Sequence, residues 1–295
     1  MPGAVRAFFM VPQHLRKRHR LMTTWQDVLR PGDATDFFTR VALPTFDPTT
    51  SAYTEGNALW LAELSRLVYR HDIEESNPPP RPTRRSFLDK VGLQQRRFFL
   101  CSDTDTQAML VTSGSPPRFA VLAFRGTDTP RDRLTDITLG LQFLRCRQPG
   151  LHRGFRWALD SIWPQVDAEL ATLNCPVFFT GHSLGGALAT LAAARRAPLA
   201  VYNFGAPRVG NSAFARSLRH LPIHRVVDDI DVVTMIPPAF MGFRHVGREI
   251  RLKAPRGTSA LVNPLAWRTT PPALLADHAP VNYIDRMPSA RHATE

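Results

Sequence analysis

The chain has 295 residues, 43% apolar and 21% charged, enough to bury a sizeable core and ordinary for a soluble globular protein. No run approaches the roughly 18 apolar residues of a membrane-spanning helix, and the three widely spaced cysteines, with no CxxC, point to neither a disulfide framework nor a zinc site. The net charge of +12 is carried mostly by arginines spread along the whole chain. Without zinc spacing, an RNP-like run or a basic helix with interleaved aromatics, it reads as a solvated basic surface, with attraction to anionic lipid as the second reading and no nucleic acid partner.

In chain order, the N-terminus has a short apolar patch before the basic run His14–Arg20, the reverse of a Sec signal's order, so the expectation is a cytoplasmic protein or one exported without such a signal. Residues 1–55 hold no motif and are set apart as an extension of unclear role. Residues 56–295 are expected to form one catalytic domain. The spacing of Leu59, Ala62, Leu64, Leu67, Val68 and Tyr69 predicts an amphipathic helix over 56–70. A Pro-rich linker (76–85) and a short helix over 87–93 follow. Runs at 97–101 and 107–112, separated by a turn-prone Ser-Asp-Thr-Asp-Thr, predict a hairpin. The run at 118–124 predicts a strand buried on both faces. Helical and strand patterns then alternate: helix to Leu173, strand 177–180, helix 187–196, strand 199–204, helix 211–220 capped by Asn211, strand 225–227 and a last helix over 281–287. That alternation implies an α/β fold with a mainly parallel sheet flanked by helices, preceded by an antiparallel pair.

The chain is organised around Gly181-His182-Ser183-Leu184-Gly185, a G-x-S-x-G between an apolar strand and an Ala-rich helix. A strand that becomes a helix within so few residues bends sharply. Gly181 and Gly185 remove the Cβ atoms that would collide, and Gly186 lets the helix start close to the sheet. Ser183 is then held at the tip of the turn. A serine hydroxyl needs a base to take its proton, and histidine suits that work, with a carboxylate to fix its tautomer. On such a sheet the order along the chain is Ser, acid, His. For the acid the candidates are Asp228, Asp229 and Asp231. For the base they are His220, His224, His245 and His278, of which the order disfavours the first two. His182, on the turn itself, reads as support of the turn. A developing oxyanion needs donors, for which the Leu184 N–H and the Gly126-Thr127 loop are well placed.

These segments resemble the class 3, fungal-type lipases of the α/β-hydrolases. The matching pieces are AFRGT (123–127), LHRGF (151–155), FFTGHSLGGALATLAA (178–193), NFGAPRVGN (203–211), VVDDIDVVTMIPP (226–238) and HVG (245–247), in the family's order over roughly 85–285. The resemblance implies an α/β-hydrolase fold and hydrolysis of lipid acyl esters at a lipid–water interface, with phospholipase A and soluble-ester (feruloyl-type) activities as alternatives and a non-catalytic binding module as a remote one. It places the nucleophile on Ser183, the acid on Asp231 and the base on His278. The oxyanion residues are Thr127 and Leu184, His245 is lowered as a base, and no metal or organic cofactor is implied. It also implies a short lid within 128–150, with Leu134, Ile137, Leu139, Leu141, Phe143 and Leu144 as its apolar face. There Arg133 stands where many members carry a Trp.

Overall fold

The strands at the middle of the sheet are apolar on both sides, which suits an interior position between two layers of helices. In the computed structural model of the chain, which describes residues 23–72, 82–127, 153–253 and 270–288, the main sheet consists of β1 (Leu93–Cys101), β2 (Thr106–Ser113), β3 (Ala120–Phe124), β4 (Val177–His182), β5 (Ala200–Phe204), β6 (Ile223–Asp228) and β7 (Arg248–Leu252), in that spatial order. β1, β2 and β3 pair antiparallel. β3 to β7 run parallel, with Phe124 opposite Gly181 and His182 opposite Phe204. A two-residue ribbon pairs Gly210–Asn211 with Phe243–Arg244.

The helices are α1 (Trp25–Leu29), α2 (Glu55–Leu67), α3 (Arg84–Asp89), α4 (Arg153–Ala171), α5 (Leu184–Arg195), α6 (Ser212–Ser217), α7 (Ala273–Ala276) and α8 (Asn282–Asp285). Successive side chains of a strand point to opposite faces, and β3 divides its core accordingly. Val121 and Ala123 pack with Phe178, Tyr202 and α2. Ala120, Leu122 and Phe124 pack with Phe179, α4 and α5. Phe37, Phe38 and Phe46, from the segment ahead of α2, belong to the first of these clusters, with Phe46 stacked on Phe119 at 4.3 Å. Of the described residues, no helix is long and apolar enough to cross a membrane.

Two expectations shift. The short helix read at 87–93 lies at Arg84–Asp89, started by Thr83, whose hydroxyl accepts the Ser86 N–H, while Leu93 already opens β1. The last helix, expected over 281–287, is present but shorter, as α8, and a second four-residue helix, α7, precedes the turn that carries His278. The proposed lid segment lies outside the described residues.

Candidate active site

β4 delivers Ser183 at its C-terminal end. Ser183 has φ 59° and ψ −129°, a left-handed backbone that a residue with a side chain holds only at a cost of about 1–3 kcal/mol. Its neighbours hold it there. The Ser183 N–H donates to the Phe204 carbonyl at 2.8 Å, and its own carbonyl accepts the Gly186 N–H at 3.0 Å. The glycines leave no alternative: a Cβ on Gly181 would stand 2.3 Å from the Gly185 carbonyl carbon, and one on Gly185 would stand 2.1 Å from the Phe124 oxygen.

The candidate base comes from the other end of the chain. His278, buried in the turn between α7 and α8, places Nε2 2.9 Å from Ser183 Oγ and Nδ1 2.9 Å from Asp231 Oδ2. Asp231 follows β6. Its Oδ1 accepts the Val233 N–H at 2.9 Å, and Oδ2 also accepts the Tyr283 hydroxyl at 2.5 Å. Thr234 donates its hydroxyl to the Asp231 carbonyl at 2.8 Å, fixing the acid's main chain. With a carboxylate accepting at Nδ1, that nitrogen carries the proton, so Nε2 is left to accept from Ser183. Gly205, at φ +60°, provides the room: a Cβ there would lie 2.6 Å from Asp231 Oδ2, 2.8 Å from Tyr283 Oη and 3.1 Å from His278 Nδ1.

The other candidates have other partners. Asp228 is fully buried and shares Arg286 with Asp277, each carboxylate 2.7 Å from the guanidinium. Burial, partly offset by Arg286, pushes the Asp228 carboxyl up to about 7 and raises Asp277 as well. Asp229 is half-buried, and its carbonyl accepts from Arg251. His220 is exposed beyond α6. His224 donates Nε2–H to the Ser51 carbonyl and packs on Tyr53 and Tyr202. His245 donates to the Thr234 carbonyl at 2.8 Å, and burial lowers its pKa to about 3, so it stays neutral. His182 is buried and reaches the His278 carbonyl at 2.8 Å.

Leu184 is the first residue of α5, so its N–H has no acceptor within its own helix and points out of the N-terminus. Thr127, half-exposed, lies in the segment after β3, and the Gly126 before it packs against the His182 carbonyl. Among the described residues, no three His, Cys, Asp or Glu side chains are grouped so as to hold a metal ion. A cavity of about 250 Å³ lies apart from the site. Arg40 and Arg66 in its wall are engaged by Asp36 and Asp285, and none of Ser183, Asp231 or His278 lines it. Sequence reasoning assigned no role at the site to Tyr69, Tyr283 or Arg286. The one available signal was a Tyr and an Arg on the segment just after His278.

The model of the family Lipase (class 3) matches residues 121–241, from β3 to the Pro pair after Asp231. Over these residues the chain is similar to the class 3 lipases. Among curated relatives, the chain is 36% identical over 155 residues to a lipase of Rhizopus niveus, covering 47% of this chain and 39% of that one. It is 46% identical over 151 residues to the chloroplastic phospholipase A(1) DAD1 of Arabidopsis thaliana, covering 41% and 34%. The chain thus spans about two fifths or less of the length of these relatives. Of solved structures, lipase II from Rhizopus niveus superposes with a TM-score of 0.53 at 25% identity, over 69% of this chain and 83% of that one. The fold of the chain is accordingly the α/β-hydrolase fold.

Proposed function

We propose that the chain is a serine carboxylester hydrolase of lipid acyl esters, triacylglycerol lipase-like, with Ser183 as nucleophile, His278 as general base and acid, and Asp231 orienting the imidazole. The observation that carries this reading is the pair of 2.9 Å contacts running Ser183–His278–Asp231 at the C-terminal ends of parallel strands. Ser183 Oγ attacks the ester carbonyl carbon while its proton passes to His278 Nε2, and Asp231 stabilises the imidazolium. The tetrahedral oxyanion sits on the Leu184 N–H and on Thr127. As the C–O bond to the alcohol breaks, the Nε2 proton goes to the leaving oxygen. Water then attacks the acyl-Ser183 carbonyl, giving its proton to Nε2, and the acid leaves as Ser183 recovers that proton. No step in this reading calls for a metal or organic cofactor.

Contact with a lipid–water interface is supported by exposed apolar residues on the segments around Asp231 and His278: Ile230, Met235, Leu274 and above all Phe240, 85% exposed. Arg208 donates to the carbonyls of Met235 and Pro237, and Arg244 to that of Ala239, so cationic groups flank the loop that bears Met235 and Phe240. An apolar tip with a basic flank suits peripheral binding to an anionic membrane. The same flank favours a second reading, phospholipase A on membrane lipids, the activity named for the Arabidopsis relative.

The test is hydrolysis of nitrophenyl esters of increasing acyl length, below and above the concentration at which the substrate forms an interface, with Ser183→Ala alongside. Long-chain activity that rises at the interface and vanishes in Ser183→Ala is expected; triglyceride against phospholipid then separates the two readings. Activity confined to short soluble esters would replace this reading with the esterase one. Inactivity of folded protein on every ester, or near wild-type turnover by Ser183→Ala, would overturn it.

A further inference from the structure

The imidazole of His278 is held at its tip by Asp231, but its main chain lies on a turn between two helices of only four residues each. Such short helices contribute little rigidity of their own. Asp277 in this turn is tied through Arg286 to Asp228 at the end of β6, and His182 ties the His278 main chain itself to the Ser183 turn. The His182 ring is buried, with Nε2 2.8 Å from the His278 carbonyl oxygen, and it lies against the His278 ring with centroids 4.5 Å apart. A carbonyl only accepts, so His182 Nε2 carries the proton and donates it. In the neutral ring Nδ1 is then an acceptor, and the Tyr69 hydroxyl stands 3.1 Å from it.

Tyr69 extends the contact further. It is buried just past the end of α2, and its hydroxyl also lies 3.4 Å from the His182 carbonyl. Gly126 packs so closely on it that a Cβ there would stand 2.0 Å from Tyr69 Oη. Two side chains therefore touch three loops at once: the one leading to Thr127, the Ser183 turn, and the turn carrying His278.

We infer that His182, backed by Tyr69, is a positioning residue for the base. By holding the His278 carbonyl it sets the distance between His278 Nε2 and Ser183 Oγ, and through Tyr69 it ties that distance to the position of the oxyanion loop. The role in turnover rests on the hydrolase reading above. It differs from mere support of the turn because the donor at Nε2, not the bulk of the ring, performs it. Displacement of a reacting group by about 1 Å costs on the order of 10²-fold in rate, and that sets the scale of the effect.

The experiment compares His182→Phe, which keeps a ring and loses the donor, with His182→Gln, whose amide restores a donor near Nε2, and with Tyr69→Phe. Each is measured for kcat and KM on a short soluble ester, for the pH profile of kcat/KM, and for the downfield proton resonance of the His278 Nδ1–H in NMR. His182→Phe is expected to lose about 30- to 100-fold in kcat with KM within about twofold, to shift the acidic limb of the profile, and to broaden the resonance. His182→Gln is expected to recover most of each, and Tyr69→Phe to lose about three- to tenfold in kcat, the scale of one hydrogen bond. Folded His182→Phe with wild-type kcat, profile and resonance would overturn the inference, as would a Gln variant no better than the Phe one. If His182→Phe does not fold, Tyr69→Phe, which removes a single oxygen, carries the test: unchanged kcat and resonance overturn the inference. A wild-type protein inactive on every ester would defeat the hydrolase reading, while the resonance would still report whether His182 positions His278.

Discussion

Asp228 ends β6 and Asp231 lies three residues beyond it, and both are buried, yet they end in opposite circumstances. Asp231 is surrounded by donors: the Val233 N–H, the Tyr283 hydroxyl and His278 Nδ1. Asp228 faces Arg286, and burial outweighs that guanidinium, so its carboxyl is pushed up to about 7. Burial alone therefore does not make a catalytic acid. In the proposed site the number and direction of the donors do: the Val233 N–H from the acid's own segment, and Tyr283 and His278 from the C-terminal one.

The largest effect should come from Asp231→Asn. The amide can leave His278 in the wrong tautomer, and kcat should fall about 10³- to 10⁴-fold with KM little changed, read by steady-state kinetics on a soluble ester. A loss below about tenfold would break the distinction between the two acids. Asp228→Asn should leave kcat within a few-fold and act on stability instead. Because the folded-state pKa of about 7 lies above the ordinary 3.8, Asp228 contributes its full stability below about pH 4 and loses it as pH rises through 7. The Asn variant should match the wild type near pH 4 and gain on it up to pH 7, by about 1–4 kcal/mol, in urea melts across that range. A flat difference would place the Asp228 titration elsewhere. Tyr283→Phe is expected to act on both counts at once and more modestly than Asp231→Asn on activity, because Tyr283 serves both acids, donating to Asp231 and accepting the Asp228 N–H at 3.3 Å. It should cost about tenfold in kcat and about 1 kcal/mol of stability together, by kinetics and melts on one preparation.

What could be read from the sequence follows the range of the interactions. The Ser183 turn is a local matter of three glycines between a strand and a helix, and it could be read from a dozen residues. The β1–β2 hairpin and the apolar central strands were equally local. The acid was not: residues alone left Asp228, Asp229 and Asp231 open, because the partners that separate them, His278, Tyr283 and Arg286, lie some fifty residues on. Tyr69 reads from its spacing as a core position of an amphipathic helix, and it is buried, but the hydroxyl's partner is 113 residues away. The helix at Arg84–Asp89 was displaced in the reading because the Pro-rich stretch obscured its Thr83 cap. The His278 region was read as a loop and one helix because four-residue helices carry no periodicity to detect.

Gly205 has a consequence for how this site can vary. The space where its side chain would begin is where the Asp231, His278 and Tyr283 side chains converge, so the junction of acid and base is built on an atom that is missing. Any substitution at position 205 adds that atom and also meets a left-handed backbone at φ +60°. Drift at this point of the chain is thus closed off before the chemistry of the incoming side chain matters. In the proposed site, a single added methyl group on a residue that takes no part in proton transfer would push the acid and the base apart without removing either.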